Sequence, residues 1–246
     1  MKNETALEEK SPRPATPGQL NEIYSLLPKG VPTELSFETA NAIIGNKGAF
    51  IEKVTSLFPD PAILKDQVKQ WEHFYREVFG ITEDCSQVKL PPRKEGFNRL
   101  IVVVKGLTHN QVYDTCTKSF RCWRYSDDLN TSVTKNDRDS NRDGTYAIWV
   151  RDAVEADEEL KNLSANDIKK QNIKGVTLLE RMLHELKYFL ETGKHLDIEN
   201  VTLCTGSRDS GDGVPDAYWC DGRFRVYWCH PDDADSGLRA RETVTL

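Results

Sequence analysis

Apolar and polar side chains alternate along residues 216–229, close to the C-terminus. Side chains on a strand point to opposite faces with a period of two, so the alternation predicts two strands. Asp221-Gly222 lies between them and favours a tight hairpin turn, because such a turn needs positive φ at its central residues. The face expected to pack on the core carries Ala217, Trp219, Phe224, Val226 and Trp228. The face expected to be exposed carries Asp216, Tyr218, Cys220, Arg223, Arg225, Tyr227 and Cys229.

The first part of the chain has helical periodicity instead. Residues 1–18 are polar and contain three prolines, which predicts a disordered leader. From residue 19 to residue 79 apolar side chains recur at helical spacing, and one stripe is formed by Val68, Trp71, Phe74, Tyr75 and Val78. Residues 85–96 are charged and proline-containing, as in a linker. The sequence therefore predicts a helical N-terminal region over residues 19–95.

Strands and helices are mixed after Gly96. The apolar run Leu100–Val104 predicts a central strand, and Thr108 is the expected N-cap of a helix that extends to Phe120. Residues 126–144 read as a long polar loop before a second strand, Tyr146–Arg151. The stretch from residue 152 to residue 171 is expected to be helical only in part.

One further helix has clear start and stop signals. Thr177 and Glu180 have the spacing of a capping box, and Gly193 is the expected end of the helix. Its predicted buried stripe consists of Leu179, Met182, Leu183, Leu186, Phe189 and Leu190. Strands and loops fill the rest of the chain. The fold class predicted is α+β, with residues 96–246 forming one domain after the helical region.

Charge, the length of apolar runs and cysteine spacing indicate which binding partners and which cellular compartment to expect. The formal net charge of −6 argues against a protein-wide electrostatic grip on nucleic acid. No apolar run approaches the roughly 18–20 residues that cross a bilayer. The N-terminus lacks the apolar stretch of a secretory signal, and the six cysteines include no C-x-x-C pair. We therefore expect a cytoplasmic protein without a membrane span, with location in a virion or export by another route left open.

A different function is suggested by residues 43–54, IIGNKGAFIEKV, which are similar to the signature of KH domains. There a G-x-x-G loop between two helices clamps a nucleic-acid backbone. The match here is the turn Gly45–Gly48, but Pro59 and Pro61 follow where a KH fold needs a strand. Two packed helices joined by a glycine-bearing turn explain the same residues. Nucleic-acid binding through this turn is the alternative to the function developed below.

Catalytic and metal motifs are broken or missing in the sequence. Residues 137–144 resemble a calcium loop, but Val150 stands where the bidentate acid belongs. His184 begins no zinc-protease pattern, because Tyr188 occupies the second histidine position. Gly206-Ser207 is best explained as a structural turn. We therefore predict no enzyme activity, no catalytic residue, no metal site and no cofactor.

The C-terminal residues resemble a known family. The segments GSR, DGVPxAxW, FxVxW, PD and LRAR, between residues 206 and 241, are similar to the C-termini of variable proteins of diversity-generating retroelements. The resemblance implies a C-type lectin fold of the formylglycine-generating-enzyme type, with a C-terminal antiparallel meander whose last strand returns beside the first. It implies no catalysis, since the paired catalytic cysteines of the enzyme relatives have no matching motif here.

In that family, fixed scaffold positions alternate with positions rewritten through adenine-rich codons. The resemblance implies a scaffold of Val214, Pro215, Ala217, Trp219, Phe224, Val226, Trp228, Leu238, Arg239 and Arg241. It implies variable, ligand-binding positions at Asp216, Tyr218, Cys220, Asp221, Arg223, Arg225, Tyr227, Cys229, His230, Asp233, Ala234, Asp235 and Ser236. Cys220 and Cys229 depart from the pattern, and a cross-strand pair between them is left open. The function expected is binding of a macromolecular ligand, a protein, by a receptor-like or adhesin-like surface.

Overall fold

The computed structural model describes residues 61–246, which belong to one compact unit. This part of the chain has a mixed α+β fold, as predicted. Its α-helices are α1 (Pro61–Phe74), α2 (His109–Ser119), α3 (Leu129–Ser132), α4 (Ser140–Asp143), α5 (Ala165–Lys170) and α6 (Leu178–Thr192). A π-helical turn, Tyr75–Phe79, continues α1, and a 3-10 turn spans Glu158–Leu160. None of these helices is long and apolar enough to cross a bilayer.

The strands form three sheets. They are β1 (Arg99–Val103), β2 (Cys122–Arg124), β3 (Val133–Asn136), β4 (Tyr146–Val150), β5 (Val201–Leu203), β6 (Ser207–Asp209), β7 (Val214–Cys220), β8 (Arg223–Cys229) and β9 (Leu238–Ala240). The largest sheet has the order β2-β8-β7-β5-β9, while β1 pairs with β4 and β3 pairs with β6. The β7–β8 and β5–β7 pairs are antiparallel, and the β2–β8 and β5–β9 pairs are parallel.

Several sequence predictions need correction at this level. The expected central strand, β1, has only β4 as a partner, because helices rather than strands cover it. The last strand, β9, runs parallel to β5 instead of returning beside β1, and only Val244 bridges to β4. The expected polar loop 126–144 contains α3, β3 and α4. Its polarity hid β3 because that strand is mostly exposed and is defined by its long-range partner β6.

The helix α1 belongs to the same packed unit as the sheets. The indole Nε1 of Trp71 donates to the carbonyl oxygen of Leu100 at 3.0 Å, and the hydroxyl of Tyr75 donates to that of Val102 at 2.7 Å. Both bonds are buried, and they satisfy strand groups that would otherwise lack a partner in the core. The helix α1 and the sheets therefore share one buried core.

The helix α6 forms as the sequence predicts but is buried more widely. Thr177 and Glu180 make the reciprocal bonds of a capping box, and Gly193 ends the helix with φ 69°. Leu179, Met182, Leu183 and Leu186 are buried, whereas Leu190 is 47% exposed. Polar side chains of this helix are buried as well, namely Glu180, Arg181, His184, Glu185 and Lys187. An apolar stripe predicts only one packed side, and here the other side packs around ion pairs.

The ion pairs centre on Asp197, in the loop after α6. Its carboxylate accepts from Arg181 Nε at 2.9 Å, from Arg241 Nη2 at 2.6 Å and from the hydroxyl of Thr202. Arg181 Nη1 also donates to Glu185 at 2.9 Å. Burial alone would raise the pKa of Asp197, but Arg241 and Arg181 bring it below its usual value. The network therefore holds the aspartate charged in the core, where it ties α6 to β5 and to the end of β9.

We predict that Asp197→Asn lowers the free energy of unfolding by roughly 3–5 kcal/mol, because two buried guanidinium groups lose their shared carboxylate. Urea unfolding at pH 7 measures the change. The matched control is Asp221→Asn, whose exposed pair with Arg225 should contribute less than about 1 kcal/mol. Since the pKa of Asp197 is lowered in the folded state, its stabilisation is present at neutral pH and is lost as the pH falls through that value. Equal losses in the two variants would contradict the central role of Asp197.

Candidate functional site

The predicted hairpin is present as β7 and β8. Tyr218 pairs with Arg225 and Trp219 with Phe224 across the two strands, in an unbroken antiparallel register. Asp221 and Gly222 have φ of 52° and 70°, as a two-residue turn of this kind requires. The alternation along the chain is therefore converted into two faces of one hairpin, here called the inner face and the outer face.

The inner face packs on the core at all but its far end. Ala217, Phe224 and Val226 are fully buried, and Trp219 is half-buried, stacked on the ring of His195 with centroids 3.3 Å apart. Trp228 is 43% exposed, so its prediction as a core residue is wrong. Its ring lies against Gly213, outside the main buried cluster.

The outer face ranges from exposed to buried. The exposed predicted ligand-binding residues are Asp221, Arg223, Tyr227, His230, Asp233, Ala234, Asp235 and Ser236. The half-buried ones are Tyr218, Cys220, Arg225 and Cys229. Asp216 alone among the thirteen is buried, at 4% exposure. Twelve of the thirteen predicted residues are therefore at least partly accessible on this side of the hairpin.

Asp216 is the one predicted ligand-binding residue that a ligand could not touch in this structure. Other segments of the same polypeptide cover the half of the outer face that carries Asp216. There Ala165 of α5 packs with Leu203 and Val214. One carboxylate oxygen, Oδ1, is buried without a hydrogen-bond partner among the described residues. Burial raises the pKa of Asp216 to about 7. The period of two correctly assigned the side chain to this face, but it carries no information about what covers the face.

The two cysteines of the hairpin do not pair. Cys220 lies opposite Arg223 beside the turn, and Cys229 lies opposite Val214 at the other end of the strands. The cross-strand pair left open by the sequence is therefore excluded by the register. Burial raises the pKa of the Cys229 thiol to about 12, so it is protonated at neutral pH.

Sequence reasoning missed Trp123, which extends the outer face. Strand β2 runs parallel to β8 and places Trp123 beside Arg225. The indole stacks on the ring of Tyr227, with centroids 5.6 Å apart and planes inclined by 29°. Both side chains are substantially exposed, at 37% and 46%. The aromatic composition of residues 122–125 was the available signal, but the parallel pairing joins segments about a hundred residues apart and leaves no local pattern.

The loop after β8 is held in a defined conformation. Backbone N–H of Asn166 donates to the carbonyl oxygen of Pro231 at 3.0 Å, and its side-chain amide donates to Asp232 at 2.6 Å. Within the loop, the carboxylate of Asp233 accepts from the backbone N–H of His230 at 2.8 Å. Residues 230–236 therefore place acidic side chains at one end of the outer face, while Arg223 lies at the turn end.

Two other sequence candidates have different outcomes. Ser207 is buried, and its hydroxyl donates to Asn136 at 2.6 Å and accepts from the backbone N–H of Leu178 at 3.0 Å, as a structural turn requires. The KH-like turn Gly45–Gly48 lies outside the described residues.

No protein-family model, curated protein or solved structure matches this chain significantly.

The burial of Asp216 generates a pH-dependent prediction. Its folded-state pKa of about 7 exceeds the usual value of 3.8, so the folded state loses stability as the pH rises from about 4 to 7. Asp216→Asn should remove this loss and unfold with a free energy higher by roughly 2–4 kcal/mol at pH 8, with little difference at pH 4. Urea unfolding at both values measures it. The exposed control Asp233→Asn should keep the wild-type pH dependence. If the difference in free energy of unfolding between Asp216→Asn and the wild type is no larger at pH 8 than at pH 4, the raised pKa of Asp216 is contradicted.

Proposed function

We propose that this protein binds a protein ligand through the outer face of β7–β8, the adjoining Trp123 and the loop 230–236. The observation that carries the proposal is the exposed stack of Trp123 of β2 on Tyr227 of β8. Large exposed aromatic side chains are costly to leave in water and are enriched where proteins bind each other. The function is binding rather than catalysis.

The charges around the aromatic stack favour the same function. Arg225 lies beside Trp123 and is paired with Asp221 at 3.0 Å, a weak exposed pair that a ligand could replace. Acidic loop residues stand at the opposite end, so the two ends of the face differ in sign. Aromatic and arginine side chains act as anchors in such interfaces, while flanking charges select the partner and its orientation.

The division between buried and exposed positions supports a scaffold whose surface is free to change. Phe224 and Val226 fill the core, while the side chains of Arg223 and Tyr227 point away from it. We propose that the domain has a C-type lectin fold and belongs with the variable proteins of diversity-generating retroelements. The alternation that motivates this proposal survives in three dimensions everywhere except at Asp216 and Trp228.

The first test separates surface from core. The triple variant Tyr218→Ala/Arg225→Ala/Tyr227→Ala should keep a melting temperature within a few degrees of the wild type, because these side chains contribute little to packing. The matched inner-face control, Phe224→Ala, should lose roughly 3–5 kcal/mol by leaving a cavity. Calorimetry measures both. If the triple variant unfolds as easily as the control, its side chains belong to the core and the binding face is misassigned.

The second test concerns binding. The immobilised whole chain should retain a protein from the cells in which the gene occurs, and Trp123→Ala/Tyr227→Ala should lose it. Val154 and Ile198 are also exposed apolar residues, but lie outside the hairpin, so Val154→Ala/Ile198→Ala is the matched control and should retain it. Mass spectrometry of the retained proteins compares the three samples. Retention by the aromatic double variant, or equal loss in both, would overturn the proposed surface.

The third test addresses diversification itself. The DNA near the gene should contain a near-copy of the codons for residues 208–237 that differs only at adenines, beside a reverse-transcriptase gene. Sequencing the locus decides it. A locus with neither feature would remove the retroelement from the proposal and leave the binding face to the variants above.

A further inference from the structure

A basic pocket is lined by residues outside the hairpin, and one of them is Ala165, which also covers part of the outer face. Its volume is about 430 Å³, and it lies among β3, the helix α5 with the residues that follow it, and the start of β6. Four cationic residues line it, namely Lys135, Lys169, Lys174 and Arg208, and Asp137 is the one acidic residue of its lining. Such a local excess of positive charge is unusual in a chain whose formal net charge is −6.

Arg208 is the cation of the pocket whose position is fixed by hydrogen bonds. Its Nη1 donates to the carbonyl oxygens of Thr205 and Ser207 at 2.9 and 2.7 Å, which fixes the guanidinium group in place. No carboxylate among the described residues lies within ion-pairing distance of it. Burial lowers the pKa of Arg208, so the folded protein holds this charge at a cost that an anion would relieve.

The other cations are available to a ligand. Lys169 and Lys174 are exposed and make no ion pair with any described residue. Lys135 pairs with Asp212 at 2.6 Å, but both side chains are more than half exposed, so the pair is weak and readily exchanged. Asn136 uses its amide oxygen to accept from Ser207, which leaves its amide N–H groups to donate.

We propose that this pocket binds a compact polyanion, either the diphosphate or triphosphate group of a small molecule or a small polycarboxylate. Lysines provide mobile point charges, and a fixed guanidinium with an amide donor provides directed hydrogen bonds, which together match a cluster of anionic oxygens. A volume of about 430 Å³ suits a small ligand better than a nucleic-acid strand. None of these residues lies on the outer face of the hairpin, so the proposal does not rest on the proposed function.

The test is calorimetric titration of the whole chain with pyrophosphate, citrate and sulfate at constant ionic strength. We expect saturable binding of pyrophosphate or citrate and weaker binding of sulfate. The anion that binds more tightly identifies the class of ligand. Lys169→Gln/Lys174→Gln should weaken the tighter ligand about tenfold. The control Lys161→Gln/Lys170→Gln removes two lysines outside the pocket, each paired with an acid of its own, and should change the affinity less than twofold.

All four lysines are exposed, so both variants should fold, which the melting temperature verifies. Absence of saturable binding by pyrophosphate and citrate would overturn the proposal, as would equal weakening in the two double variants. A single-stranded oligonucleotide that binds more tightly than either small anion, and that Lys169→Gln/Lys174→Gln also weakens, would overturn it in favour of a nucleic-acid site.

Discussion

The hairpin depends on the ion pairs and hydrogen bonds made by the buried carboxylate of Asp197. It joins Arg181 of α6 to Arg241 beyond β9 and to Thr202 of β5, so three distant segments meet at one charge. Its backbone carbonyl also accepts from Trp219 of β7 at 2.9 Å. A buried ion pair adds little net stability compared with apolar packing, but removing one partner is costly. The network therefore specifies one arrangement of helix and sheet more than it strengthens the fold.

The same network supports the inner face of the hairpin. Glu185, which pairs with Arg181, also contacts His195 at 2.8 Å, and the His195 ring stacks on Trp219. Polar and aromatic contacts thus continue from the centre of the domain to the strand that carries Tyr218 on its other side. Such buried contacts hold the strands in place independently of the outward side chains of Arg223 and Tyr227. A binding face whose side chains change needs a fold that does not depend on those side chains. Here the supporting residues are buried beneath the outer face.

Local patterns predicted the hairpin, its turn and the capped helix α6, because periodicity and capping are properties of neighbouring residues. They failed wherever long-range contacts decide the outcome. Trp123 reaches the outer face through a parallel pairing, and Leu190 is exposed although it continues an apolar stripe. The sequence also gave no sign that Arg181 and Asp197 would be buried together, since each alone reads as a surface residue.

The burial of Asp216 limits the extent of the proposed binding face. Because α5 covers the strand ends near Val214, the outer face is most accessible from Tyr218 to the turn and at Tyr227. A change at position 216 would act on stability and on the packing below the face rather than on ligand contact. Trp123 compensates for the lost area, since β2 extends the accessible surface on the opposite side of β8. The proposed binding face thus lies closer to β2 than the face that alternation alone defines.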